Sequence, residues 1–154
     1  MSHNRKMLEE ERTDIKLCNC REECVVDGKC LLQNVIYKAT VKTAEETKQY
    51  VGSSGLTFKS RYTRHKCSFN NYKYRFKTTL SKYIWELKDK NLDFNIKWEI
   101  LARTKNKFNL KNGCTLCNME KNEIAKLNQN IALNKRTELF GNCCHFANYY
   151  FKKT

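Results

Sequence analysis

Four cysteines fall within thirteen residues, spaced Cys18-x-Cys20-x3-Cys24-x5-Cys30, and such crowding makes this stretch a knuckle rather than a helix. Four thiolates on so short a span suit one tetrahedral Zn²⁺, which asks for four soft ligands. A second set is Cys114-x2-Cys117 with the distant Cys143 and His145, and Cys144 can replace Cys143 as the ligand. Clustering at short spacings in a reducing compartment favours metal ligation over disulfides. Up to two structural Zn²⁺ ions are therefore expected, against a competing reading of both sets as free thiols. Cys67 stands alone and is expected to be a buried helix residue. Ligation of this kind contributes folding energy by drawing separated residues onto one ion, and it says nothing about catalysis.

At 154 residues the chain has room for one real core and a small added module. Its 30 Lys and Arg outnumber 16 Asp and Glu, a formal net charge of +14. That excess suggests a polyanionic partner whose phosphates would be met by Lys and Arg. Nucleotide bias in a Lys- and Asn-rich gene would give the same basicity. No apolar run approaches the roughly 20 residues that span a bilayer. The opening MSHNRKMLEEERTDIK is charged throughout, with no apolar segment for secretion. An intracellular protein, nuclear or otherwise, with no membrane partner is expected.

From Asn34 the pattern turns strand-like, with NVIYKATV and QYVGSS joined through the polar KTAEETK as a hairpin. Thr57 can cap a helix through FKSRYTRHKCSF, with Phe58, Tyr62 and Phe69 near one face and Arg61 and His65 on another at i, i+4 spacing. A polar, basic, aromatic loop NNYKYRFK follows. In TTLSKYIWELKDK the apolar Leu80, Ile84 and Leu87 recur at i, i+4, i+7 and predict a second helix. FNIKWEIL alternates as the third strand of a small sheet. TKNKFNLKNG is expected as a loop, CTLCNMEK opens another helix carrying Met119, Glu120, Ile124 and Leu127, and LNKRTEL begins a short helical turn. These elements predict an α+β fold: a three-stranded, mostly antiparallel sheet flanked by helices. Residues 1–33 form the polar N-terminus and knuckle, and residues 34–154 the domain with the second cysteine set embedded.

Residues 35–65 offer two strand tyrosines, a glycine after the second, and then Arg61 and His65 on a helix within a basic chain. Phosphodiester chemistry needs such parts: a cation at the phosphate, a base for water, and a divalent metal held by a carboxylate. The series Val35-Ile36-Tyr37, Tyr50-Val51-Gly52 and Arg61-Tyr62-Thr63-Arg64-His65 resembles the GIY…YIG…R-x-x-x-H motifs of GIY-YIG nucleases. Glu120 opens E-x-x-x-I-x-x-L as that family's metal-binding Glu does, and Asn134 matches its late Asn. Val35 stands where the family has Gly, and Val51 where it has Ile. The resemblance covers roughly residues 34–140. It narrows to the nuclease domain of Penelope-like retroelements, which also set a cysteine knuckle before the first motif and a CxxC before the metal Glu.

That resemblance implies a metal-dependent DNA endonuclease that nicks DNA to leave a 3′-hydroxyl. Arg61 would bind the scissile phosphate and Glu120 would hold Mg²⁺ or Mn²⁺. Tyr37 would be general base or position the water, assisted by Tyr50 and His65. A phenol with a free pKa of about 10 is a poor base, so Tyr37 would need a cation to lower it. Gly52, Arg64, Lys66, Asn134 and Lys135 would face DNA, and the loop between Gly52 and Arg61 would fit the substrate. Glu123 competes with Glu120, which is favoured by register. The resemblance also implies a partner reverse transcriptase, absent from these residues. Two other readings stay open: a catalytically silent zinc- and nucleic-acid-binding module, and a zinc-stabilised protein-interaction domain.

Overall fold

Strand β1 (Gln33–Lys42) is the middle strand of a three-stranded antiparallel sheet and is buried on both faces. The computed structural model describes residues 17–105, 108–109, 113–135 and 139. Alternation sends Val35, Tyr37, Ala39 and Val41 into one core and Ile36 into another. β2 (Thr47–Thr57) pairs along one side of β1, with Tyr37 opposite Gly52 and Ala39 opposite Tyr50. β3 (Asn95–Arg103) pairs along the other side, with Ala39 opposite Trp98. The expected hairpin is tight: Thr43 N–H donates to the Glu46 carbonyl, and the Thr43 hydroxyl accepts from the Glu45 and Glu46 N–H groups.

Helix α1 (Phe58–Asn70) follows β2 directly, so no loop separates Gly52 from Arg61 as the sequence suggested. Thr57 ends the strand and caps the helix, its hydroxyl accepting from Ser60 N–H at 3.1 Å. Helix α2 (Thr79–Asp89) starts with a reciprocal Thr78–Ser81 capping box and buries Leu80, Ile84 and Leu87. Both helices pack on the Tyr37 face of the sheet, in one core with Phe58, Phe69 and Trp98. Helix α3 (Thr115–Lys126) covers the opposite face, where Leu116 and Ile124 meet Ile36 and Val51. The architecture is therefore α+β, with helices on both faces of the sheet.

Three local expectations change. Within TKNKFNLKNG the short strands β4 (Phe108–Asn109) and β5 (Gly113–Cys114) pair antiparallel where a plain loop was expected. Cys67 is exposed on α1 rather than buried, because that helix turns Phe58, His65, Ser68 and Phe69 inward. His65 is buried with those residues and stacks on Phe69, so it joins the apolar face while still meeting Arg61 at the Tyr37 hydroxyl. The charged opening MSHNRKMLEEERTDIK and residues 136–138 of LNKRTEL lie outside the described residues, while residues 133–135 are not helical.

The free edge of β2 is covered from far along the chain. Gln49 N–H donates to the Ile131 carbonyl at 2.8 Å, and Leu133 N–H returns to the Gln49 carbonyl at 2.7 Å. Asn134 then uses both ends of its carboxamide on one residue, accepting from Val51 N–H at 2.8 Å and donating to Val51 C=O at 2.9 Å. A bare strand edge invites pairing with other chains, and this segment blocks it.

Gly52 is buried, and a Cβ there would lie 2.4 Å from the Tyr37 phenol oxygen and 2.5 Å from its Cζ. Gly52→Ala should therefore destabilise the protein by about 1–3 kcal/mol, the usual cost of overpacking. Urea denaturation would measure this, and Tyr37→Ala in the same chain should restore part of the loss. Additive effects of the two substitutions would exclude the proposed contact.

Candidate functional site

The Tyr37 ring lies across Gly52, and its hydroxyl meets two groups of α1. The His65 Nε2 is 2.6 Å from the phenol oxygen, and Arg61 Nε donates to that oxygen at 3.3 Å. A guanidinium can only donate, so the phenol accepts from Arg61. The direction of its bond to Nε2 follows the His65 tautomer: with the imidazole proton on Nδ1, the phenol donates to Nε2. Tyr50, beside Tyr37 on the same sheet face, meets the His65 ring edge-on, with centroids 5.9 Å apart. Phe58 and Trp98 complete an aromatic wall around the Tyr37 and His65 rings.

The electrostatics follow from burial. Burial pushes the Tyr37 phenol up to about 12; Arg61 pulls the other way without prevailing, and the charge of Glu120 adds to the rise. The cation that the sequence reading asked for is present, yet Tyr37 stays protonated at neutral pH. His65 is held down to about 3, first by burial and then by the Arg61 charge. Burial also works against the Arg61 charge, but the Tyr37 and Tyr50 phenols outweigh it and raise the guanidinium.

Glu120 arrives from α3 on the other side of the sheet, its Oε2 accepting from the Ser53 hydroxyl at 2.7 Å. Ser53 follows Gly52 on β2 and faces Ile36 across the ladder, which brings the carboxylate to the strand that borders Tyr37. Glu123 is engaged differently, in an ion pair with Lys126 at 3.1 Å. Tyr37, Tyr50, Arg61, His65 and Glu120 thus gather at one stretch of β2: a fixed cation, a phenol–imidazole pair able to pass a proton, and a carboxylate.

The residues expected to face a polyanion divide. Arg64, Lys66 and Lys135 are exposed. Gly52 is buried beneath Tyr37, and the Asn134 carboxamide is bonded to Val51, so both are accounted for by the fold. Spacing could not reveal Ser53 as the partner of Glu120, since the pair depends on β2 meeting α3. Beside Arg61 opens a cavity of about 350 Å³, walled also by Arg64, His65, Tyr74 and Lys77.

The N-terminal cysteines do come together. The ligand atoms of Cys18, Cys20, Cys24 and Cys30 all lie within 4.8 Å of one another. Hydrogen bonds from Cys18 and Cys30 push the Cys20 thiol up to about 12. Burial raises Cys24, but backbone N–H groups of Val26 and Gly28 outweigh it and bring that thiol down to about 7. Four sulfurs so close cannot all ionise without a cation among them, and the donor set fits a tetrahedral ion such as Zn²⁺. The knuckle is packed on the domain: Val26 and Cys30 share the core of Tyr37 and Phe58. The Leu32 and Cys30 carbonyls accept from Phe58 and Lys59 N–H at 3.0 and 2.7 Å, satisfying the first donors of α1. In the second set, Cys114 is buried and caps α3, its sulfur accepting from Cys117 N–H at 3.4 Å. Cys143, Cys144 and His145 lie outside the described residues. Among the described residues no helix is long and apolar enough to cross a membrane.

No family model, curated protein or solved structure matches this chain.

Two outcomes follow from this geometry. His65 titrates near 3 when folded against an ordinary 6.5, so the unfolded chain takes up the proton first. Its contribution is intact above about 6.5 and is lost as pH falls toward 3. Urea midpoints measured between pH 7 and pH 4 should drop more steeply for the native chain than for His65→Gln; equal slopes would contradict a buried neutral imidazole. Separately, Co²⁺ titration should give a tetrahedral thiolate spectrum. Cys24→Ser should weaken Zn²⁺ binding at least about tenfold, as loss of one of four ligands requires.

Proposed function

We propose that the chain is a metal-dependent DNA endonuclease of GIY-YIG type, of the retroelement-derived kind carried by Penelope-like elements, nicking a phosphodiester to leave a 3′-hydroxyl. The observation that carries this reading is the convergence of Tyr37 from one strand, Arg61 and His65 from one helix and Glu120 from a second helix far downstream, around Gly52 and Ser53 of β2. Their order along the chain is that of the nuclease motifs, which makes the convergence more than a chance cluster.

In this reading Arg61 binds the scissile phosphate, already charged and aimed through its bond to Tyr37. Tyr37 positions the attacking water and accepts its proton as it hands its own to His65 Nε2. Arg61 is one of the two causes holding His65 neutral. A phosphate on Arg61 offsets that charge and makes the imidazole a better acceptor at the moment it is needed. Tyr50 confines the imidazole edge-on. Glu120 is the residue that would hold Mg²⁺ or Mn²⁺. One carboxylate beside a hydroxyl suits a hard cation that completes its shell with water and phosphate oxygen. Such an ion supplies charge stabilisation at the leaving oxygen. Zn²⁺ at the N-terminal cysteines would have a structural role, with a second ion at Cys114 and Cys117 in the same capacity. A reverse transcriptase partner would use the 3′-hydroxyl as primer.

A catalytically silent nucleic-acid-binding module is the second reading. It is favoured by one observation: burial holds Tyr37 and His65 at about 12 and about 3, so neither is a base before substrate arrives.

Supercoiled plasmid separates the two. With Mg²⁺ or Mn²⁺ the protein should convert it to open circles, and Arg61→Ala should slow nicking by at least about 100-fold, the scale for losing one preorganised donor. Glu120→Gln should do the same and abolish the metal dependence. A plasmid that stays supercoiled while its mobility is shifted by the protein would hand the case to the binding module.

A further inference from the structure

From Thr47 through Trp85 the chain carries no Asp or Glu, and the Lys and Arg of this stretch include Arg61, Arg64, Lys73, Arg75 and Lys77. Within it, the turn between α1 and α2 is built as a platform. The Arg75 guanidinium lies 3.8 Å over the Tyr72 ring and 4.5 Å from the Phe76 ring. The two rings are nevertheless 58% and 69% exposed. The platform is held from below. Arg75 donates to the Tyr72 carbonyl at 2.9 Å, Ser81 donates to the Arg75 carbonyl at 3.0 Å, and Tyr72 meets Trp85 edge-on.

Exposed aromatic surface costs free energy in water; the guanidinium covers part of each ring, and the exposure that remains leaves surface for a further stack. The same turn sends Tyr74 and Lys77 into the cavity beside Arg61. Flat aromatic surface, fixed guanidinium and a basic cavity without a carboxylate are what an unpaired nucleic-acid strand uses: bases stack while phosphates find cations. A duplex hides its base faces and has no use for Tyr72 and Phe76.

We propose that the Asn71–Thr78 turn is a binding surface for single-stranded DNA, with bases stacked on Tyr72 and Phe76 and a phosphate held in the cavity by Arg64 and Lys77. If the neighbouring site is the nuclease proposed above, its substrate is DNA with an unpaired strand next to the nick; that consequence and the choice of DNA over RNA rest on that reading, while binding of a single strand does not.

The test measures binding alone, by fluorescence anisotropy without divalent metal, using a labelled single-stranded DNA, the duplex of the same sequence and the RNA of that sequence. Phe76→Ala removes an exposed ring that meets the Arg75 guanidinium, so the fold should stand, as circular dichroism would verify. It should weaken the single strand by about fivefold or more, the scale of one lost stack, and the duplex by less than half that factor. Tyr72→Ala should add a similar loss. Lys77→Ala should lower the salt dependence of single-strand binding. Equal losses on single strand and duplex, or none, would overturn the proposal, and tighter binding of the RNA would overturn its assignment to DNA. Failure of plasmid nicking with these differences intact would sink only the nuclease.

Discussion

The contact of Tyr37 with Gly52 is the constraint on which the rest of the site depends. Cross-strand pairing puts the two residues opposite each other, and only a residue without a side chain lets the phenol lie flat across its neighbour. Laid that way, the hydroxyl reaches the start of α1 and meets Arg61 and His65. A larger residue at position 52 would push the ring back into the core and part the phenol from both.

Continuity between β2 and α1 does the next part of the work. Thr57 belongs to the strand and caps the helix, so Arg61 and His65 are set by backbone geometry with no flexible link between. The knuckle fixes the same helix from its other side, through the carbonyls offered to Phe58 and Lys59. Strand, cap and cysteine segment thus act on a single turn of helix, where the guanidinium projects.

Much of this could be read from the residues. β1 and β2 follow from their β-rich runs and the polar turn between them, β3 from alternation, the cap at Thr57 from its hydroxyl, and α2 from the spacing of Leu80, Ile84 and Leu87. The sulfur cluster at Cys18 to Cys30 was legible because its ligands are near neighbours. Other features hid because they depend on partners distant in sequence. His65 was read on a face apart from Phe58 and Phe69, since helical spacing counts an imidazole as polar; a hydrogen bond to Tyr37 makes its burial among them tolerable. Asn134 looked like a residue for a ligand, when its amide mimics a strand for Val51. Cys67 was misjudged on composition, because a thiol is usually buried while the packing of α1 had already been claimed by larger side chains. The short β4–β5 ladder sits in a polar stretch where no periodicity could announce it.

The edge of β2 is finished by residues 131–134, and the carboxylate at Ser53 comes from Glu120. A chain is made from its N-terminus and begins to fold as it emerges. β1 and β2 can pair early in synthesis, but the outer rim of β2 stays bare until the segment ending at Asn134 has been added. A newly made chain therefore passes through an interval in which a complete hairpin shows an unpaired edge beside a strongly cationic helix. The amide of a single late asparagine helps close that interval, which gives position 134 a role in the birth of the protein as well as in its finished form.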